Sequence, residues 1–308
     1  LRVLLQGLGQ NEDGLGLALA PQDVGVPLGI GLDNPHLPIH IGSFSEVLLL
    51  SLGPEPLSLE TLPLSKREVD YPAIRAMHAA SCLETEEDAG VWRTPWSAPS
   101  PKEPAGPLFP LAPQGSQELL LDPVEEVILR RMSTRRFSGA AITFMQLSTL
   151  LRQATRTVPA DFLAPDGPMI NDVYIIVNAV EDLPSGAYVL RRDDESLELL
   201  KERDFRQQAR YLGLEQDLAG DASVNVYFLA NLNRVLERWG NRGYRAAQLE
   251  AGITGGRLYL ASYALGLGTS GLTFFDDDVT SFFSPHAQGK SAMFLVTVGR
   301  PGKGRRSG

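Results

Sequence analysis

The spacing of apolar residues changes character along the chain, and each change predicts an element. From Phe44 to Leu52 the pattern passes from alternation into the run Val47-Leu48-Leu49-Leu50, which reads as a buried strand closing at Gly53. Residues 70–88, around Tyr71-Pro72-Ala73-Ile74, carry helical spacing with proline near the first turn and predict one helix. Pro95, Pro99, Pro101, Pro104, Pro107, Pro110 and Pro113 then forbid regular structure and predict an extended linker over residues 94–115. Beyond it, Asp122-Pro123-Val124-Glu125 opens a helix that runs through Val127 and Ile128 to about Arg131. Thr143 and Gln146 form a capping box ahead of Leu147, Leu150, Leu151 and Ala154, which share one helical face. The β-branched run Val173–Val177 predicts a central strand. Segments 187–190 and 197–200 flank the turn residues Asp193-Asp194-Glu195 and predict a strand pair. Val224–Ala230 reads as another buried strand. A long helix from about Tyr244 to Leu265 stops at Gly266, and a strand over 292–298 closes at Gly299. This order predicts an α+β fold with a mixed, mostly antiparallel sheet flanked by helices.

Composition narrows the function classes. With 308 residues, 43% of them hydrophobic, the chain supplies a sizeable core and either two domain-sized units or one unit with a large appendage. No apolar run approaches the roughly 20 residues of a membrane helix, so no membrane partner is expected. A net charge of -9 disfavours nucleic acid, which needs an excess of Lys and Arg on one face. Against that background three arginine clusters stand out: Arg130-Arg131 with Arg135-Arg136; Arg238, Arg242 and Arg245; and Arg300 with Arg305-Arg306. The single cysteine, Cys82, excludes an internal disulfide and a multi-thiolate metal site. It reads as a small buried hydrophobe on a helix and fits a reducing cytoplasm. The chain begins at Leu1 with no signal-peptide pattern, as a fragment would whose natural start lies upstream.

The segment Arg131-Met132-Ser133-Thr134-Arg135-Arg136-Phe137 sets two guanidiniums around two hydroxyls within five residues, a compact anion site. A solvated helix end, with cations near the C-terminal dipole, is the alternative. Arg-x-Ser-x-Arg-x-Phe followed by the helix at 143–154 resembles the opening of nitroreductase-family domains. More specifically it resembles the SagB/ThcOx-type branch of flavin dehydrogenases, which includes the azoline oxidases of thiazole/oxazole peptide biosynthesis. The resemblance implies that Arg131, Ser133 and Arg135, with Thr134 between them, bind the phosphate and ribityl chain of FMN. Arg242-Gly243-Tyr244-Arg245, Glu250-Ala251-Gly252 and Leu265-Gly266-Leu267-Gly268 resemble a second family segment. It implies that Gly266, Leu267 and Gly268 lie beside the flavin and that Tyr244 and Glu250 line the pocket. A tightly packed core or interface helix is the alternative for this segment. Gly266 to Gly271 also satisfies a Gly-x-Gly-x-x-Gly dinucleotide pattern, but it follows a helix where that motif must follow a strand. Phe274-Phe275-Asp276-Asp277-Asp278 resembles a further family segment and reads as a turn with exposed acids rather than a metal site. Val298-Gly299-Arg300-Pro301 resembles the family's exit. It implies a basic residue on the FMN phosphate, with Arg300 and Arg305 among the candidates, beside Lys303 and Arg306; a solubilising tail is the alternative.

Two segments depart from the family branch. Pro165-Asp166-Gly167-Pro168-Met169-Ile170-Asn171 stands where the branch carries Pro-Ser-(Ala/Gly)-Gly, and Pro168 removes a backbone donor. Arg238-Trp239 stands where the azoline oxidases carry a catalytic Lys-Tyr pair, and arginine is a poor base. The resemblance spans about residues 122–301. It organises the chain as a partial, degenerate first unit with a lead-in helix (1–93), a Pro-rich linker (94–115) and a nitroreductase-like FMN domain (116–303). The expected function is an FMN-dependent oxidoreductase exchanging hydride with NAD(P)H or a small-molecule or peptide substrate, in a homodimer or intrachain pseudo-dimer. No catalytic side chain is assigned. A flavin-less binding or scaffold relative is the alternative.

Overall fold

The structure is a computed structural model that describes residues 39–44, 47–52, 69–93, 96, 103–115, 122–158, 160–163 and 169–302. It divides the chain into two units, Leu1–Glu68 and Val69–Gly308. In the first, β1 (Ile39–Phe44) pairs antiparallel with β2 (Val47–Leu52), Phe44 opposite Val47. The strand read from the apolar run is β2; its partner carries weaker patterning.

The second unit opens with α1 (Pro72–Ala80), α2 (Glu86–Trp92), β3 (Leu108–Pro110) and α3 (Val124–Arg130). There follow β4 (Ile142–Thr143), α4 (Phe144–Ala154), β5 (Asn171–Val177), β6 (Val180–Glu181), β7 (Gly186–Arg191) and β8 (Ser196–Glu202). Next come α5 (Arg206–Leu212), α6 (Asp217–Asp221), β9 (Val224–Ala230), α7 (Leu232–Trp239) and α8 (Arg242–Ala264). The unit closes with β10 (Gly268–Leu272), α9 (Asp276–Phe283) and β11 (Ser291–Gly299). Seven strands form one sheet in the order β10-β11-β9-β5-β7-β8-β3, every pairing antiparallel, while β4 and β6 make a small parallel pair. The α+β, mostly antiparallel expectation holds.

Helices cover both sheet faces, which explains why the central strands read as near-continuous apolar runs. Val173, Ile175 and Val177 of β5 and Val226 and Phe228 of β9 join the core under α4 and α8. Tyr174 and Ile176, with Tyr227 and Leu229, enter the second core with α5, α6 and α9. The Thr143/Gln146 capping box forms as read, and Leu147, Leu150, Leu151 and Ala154 are buried. No helix among the described residues is long and apolar enough to cross a membrane.

Several expectations change. The helix read over 70–88 is two helices: Ser81 Oγ turns back onto Met77 O (2.7 Å), and Thr85 and Asp88 cap each other to start α2. Cys82 is exposed in the turn between them, its Sγ on His78 O, rather than buried on a helix. The two compact units divide at 68/69, and Trp92 packs into the core of the second. The Pro-rich segment, moreover, is not all linker: β3 pairs with β8 at the sheet edge, where a strand tolerates proline. Asp122 pairs with Arg130 and leaves the N-terminus of α3 without a side-chain cap.

Candidate functional site

After α3 ends at Arg130 the chain extends and runs beside β10, the edge strand. Thr134 N donates to Thr269 O (2.8 Å), and Tyr263 Oη donates to Met132 O (2.8 Å). This turns Thr134 inward: a Cβ on Gly268 would lie 2.4 Å from its Oγ1. Arg131, Arg135 and Arg136 are exposed, and none meets a carboxylate among the described residues. Arg131 places its guanidinium over the ring of Tyr259, 5.8 Å from the centroid. Ser133 Oγ lies 3.4 Å from Tyr259 Oη, and that hydroxyl accepts the backbone N–H of Gly271. Arg131 and Ser133 therefore converge on a tyrosine to which the sequence alone gives no role. Its signal was only its place three residues after Gly256 on a helix facing the Arg131 segment.

The chain leaving β11 returns to the same region. Phe137 bridges Pro301, Ser138 N donates to Arg300 O (2.9 Å), and Gly302 N donates to Arg136 O (2.8 Å). Arg300 is thus brought beside the arginine segment, although its Nε donates to Ala141 O (2.8 Å). Arg305, like Lys303, Arg306 and residues 164–168, lies outside the described residues.

A groove of about 520 Å³ opens between α3 and α8, lined by Ile128, Arg131, Gly252, Gly256, Tyr259 and Phe294 among others. A Cβ on Gly252 or Gly256 would meet nothing within 4 Å, so these glycines leave open space. Gly255 differs: a Cβ there would fall 2.4 Å from Phe294 Cε1. The register irregularity of β11 between Ala292 and Phe294 brings that ring to the groove wall. Arg257 also lines the groove but bonds Thr157 O (3.2 Å) and Arg156 O, closing the end of α4. Burial, with Arg156 nearby, holds its pKa below the usual arginine value.

The other sequence-derived candidates lie outside the groove lining. Gly266 ends α8 with φ of +70°, as its position implied. Leu267 and Gly268 are buried, and residues 268–272 form a strand, so the Gly-x-Gly-x-x-Gly run opens no helix. Tyr244 is half exposed at the start of α8, about 22 Å along the helix axis from Tyr259. Glu250 is fully buried and outside the groove lining; its carboxylate accepts Ile170 N (2.9 Å), Asn171 N (2.8 Å) and Asn171 Nδ2 (2.9 Å). Burial pushes its pKa up, while these three N–H bonds oppose the rise. Trp239 packs among Trp96 (5.4 Å), Trp92 (5.7 Å) and Phe162 (5.9 Å). Asp276, Asp277 and Asp278 form the first turn of α9, and no metal-ligating cluster occurs among the described residues.

Residues 128–300 match the model of the nitroreductase family. A Methanocaldococcus jannaschii protein described as "Putative nitroreductase MJ1384" is 24% identical over 186 residues, covering 58% of this chain and 90% of that protein. Two crystal structures described in the same terms share the fold. That from Anabaena variabilis is 24% identical with a TM-score of 0.62, covering 82% of this chain; this chain spans only 52% of its length. That from Ralstonia eutropha is 25% identical with a TM-score of 0.50, covering 66% of this chain and all of that one. With its arginine segment, groove and closing strand all inside the matched residues, the chain belongs to the nitroreductase family.

Proposed function

We propose that the chain is an FMN-dependent oxidoreductase, with the flavin in the groove between α3 and α8 and its phosphate at Arg131, Ser133 and Arg135. The observation that carries this reading is the groove itself. It has the volume of a cofactor site, a floor kept open by Gly252 and Gly256, and a guanidinium without a carboxylate partner among the described residues. Those residues fit FMN in chemistry: cation and hydroxyl for phosphate, flat and apolar surface for a ring. When bound, FMN supplies hydride exchange with NAD(P)H or an organic or peptide substrate. Arg131 and Ser133 hold the anion, Arg135 and Arg300 add positive charge, and Ile128 and Phe294 exclude water from the groove.

A visible absorption spectrum tests the reading. The purified protein is expected to be yellow, or to turn yellow on taking up FMN, and to bleach with NADH or NADPH. Arg131→Ala with Arg135→Ala is expected to release the flavin, weakening FMN binding by about 100-fold or more. A colourless protein that gains no flavin from excess FMN sinks the proposal in favour of a flavin-less scaffold relative. One observation favours that rival: Trp239 is a packed indole where the resemblance brings a catalytic Lys-Tyr pair. It argues against azoline oxidation rather than against flavin binding. A homodimer accompanies the flavin reading. Exposed Leu129 and Met132 beside the groove support it, and sedimentation velocity tests it.

A further inference from the structure

We infer that Tyr259 is a member of the anion grip, its hydroxyl donating a hydrogen bond to the phosphate held by Arg131 and Ser133. The inference rests on the flavin reading only for the identity of the ligand. Three separate elements meet at this phenol: the extended run after α3 brings Arg131 and Ser133, α8 carries Tyr259, and β10 brings Gly271.

The donor count decides the direction. A phenol has one proton to give. Because β10 is the sheet edge, the outward N–H of Gly271 has no strand partner, and it donates to Tyr259 Oη. The oxygen is therefore already an acceptor, and its proton must point elsewhere. Ser133 Oγ is the neighbouring acceptor, but at 3.4 Å it lies beyond the roughly 2.5–3.0 Å of an O–H···O bond. The proton stays available to an acceptor that enters between them. Arg131 lies over the ring face, and none of its N–H groups is bonded to an acceptor among the described residues. A phosphate oxygen seated there would receive donors from Arg131, Ser133 and Tyr259 together, with the Gly271 N–H holding the phenol in orientation. Charge-assisted bonds of this kind are stronger than neutral ones.

Tyr259→Phe keeps the ring under Arg131 and removes only the hydroxyl. Apoprotein of wild type and variant is titrated by calorimetry with FMN, riboflavin and inorganic phosphate. The expected result is a loss of about tenfold in FMN affinity, an unchanged riboflavin affinity and weaker phosphate binding. Loss of a merely structural contact, the Gly271 N–H partner, would weaken both flavins alike. Equal losses for FMN and riboflavin, or an unchanged FMN affinity, overturn the inference. Should wild type take up neither flavin, the flavin reading fails and the phosphate titration decides alone. Phosphate binding weakened in the variant then supports Tyr259, and equal or absent binding in wild type overturns it.

Discussion

The two halves of α8 use the same kind of helix for opposite ends. In the first half, polar groups are taken up by the protein: Arg242 donates to Ser81 O (3.0 Å) with its guanidinium over Trp92, and Glu250 gathers the three N–H groups at the start of β5. From Gly252 onward, Gly252 and Gly256 leave bare space, and Tyr259 faces a cation that no carboxylate neutralises among the described residues. The two complement each other, since a groove keeps its shape only if its walls are fixed elsewhere. Polar residue type alone does not separate the halves. Glu250 and Arg242 look as reactive in sequence as Arg131 does, and only their partners tell them apart.

Breaking the packed half should cost most. Glu250→Ala leaves three N–H groups buried without an acceptor and is expected to destabilise the fold by about 3 kcal/mol, read by denaturant unfolding. A change below about 0.5 kcal/mol would remove the structural role assigned to this carboxylate. Gly255→Ala comes next: its Cβ would press on Phe294, and overpacking of this kind costs about 1–3 kcal/mol. Gly256→Ala should reverse the sign, because the same change in open space raises helix propensity and stabilises by about 0.5–1 kcal/mol. Flavin affinity should nevertheless fall in that variant, since the methyl enters the groove. Matching unfolding midpoints for the two alanine variants would erase the distinction between packed and open glycines.

The smallest effect is a pH dependence. Burial raises the folded pKa of Glu250, so the folded state holds this proton more tightly than the unfolded chain does. The stability this contributes is present below the ordinary glutamate value and is lost as pH rises through the folded one. Compared with Glu250→Gln, wild type should therefore lose stability as pH climbs from about 4.3 upward. A difference that grows with pH would mean that the three N–H bonds outweigh burial.

The proposed anion segment shows how far such a site is legible in the residues. Arg131, Ser133 and Arg135 stood out because four arginines cluster in a chain of net charge -9. Tyr259 carried no such contrast, being one of eight tyrosines in a helix rich in small residues. Thr134 sits in the same motif, yet the backbone bond to Thr269 turns it into the protein. Nor does the run of prolines reveal that residues 108–110 complete a sheet, because edge pairing depends on β8 being in place.

What the sequence by itself determined is local. The capping box at Thr143 and Gln146, the bounds of Val224–Ala230 and the left-handed stop at Gly266 all follow from groups within a few residues of one another. The tertiary structure decided the meetings across the chain: Ser133 with Tyr259, 126 residues apart, and Glu250 with Asn171, 79 apart. Such pairs form only after strand register and helix packing have closed long loops, and side-chain chemistry alone does not encode which distant partner each group will find.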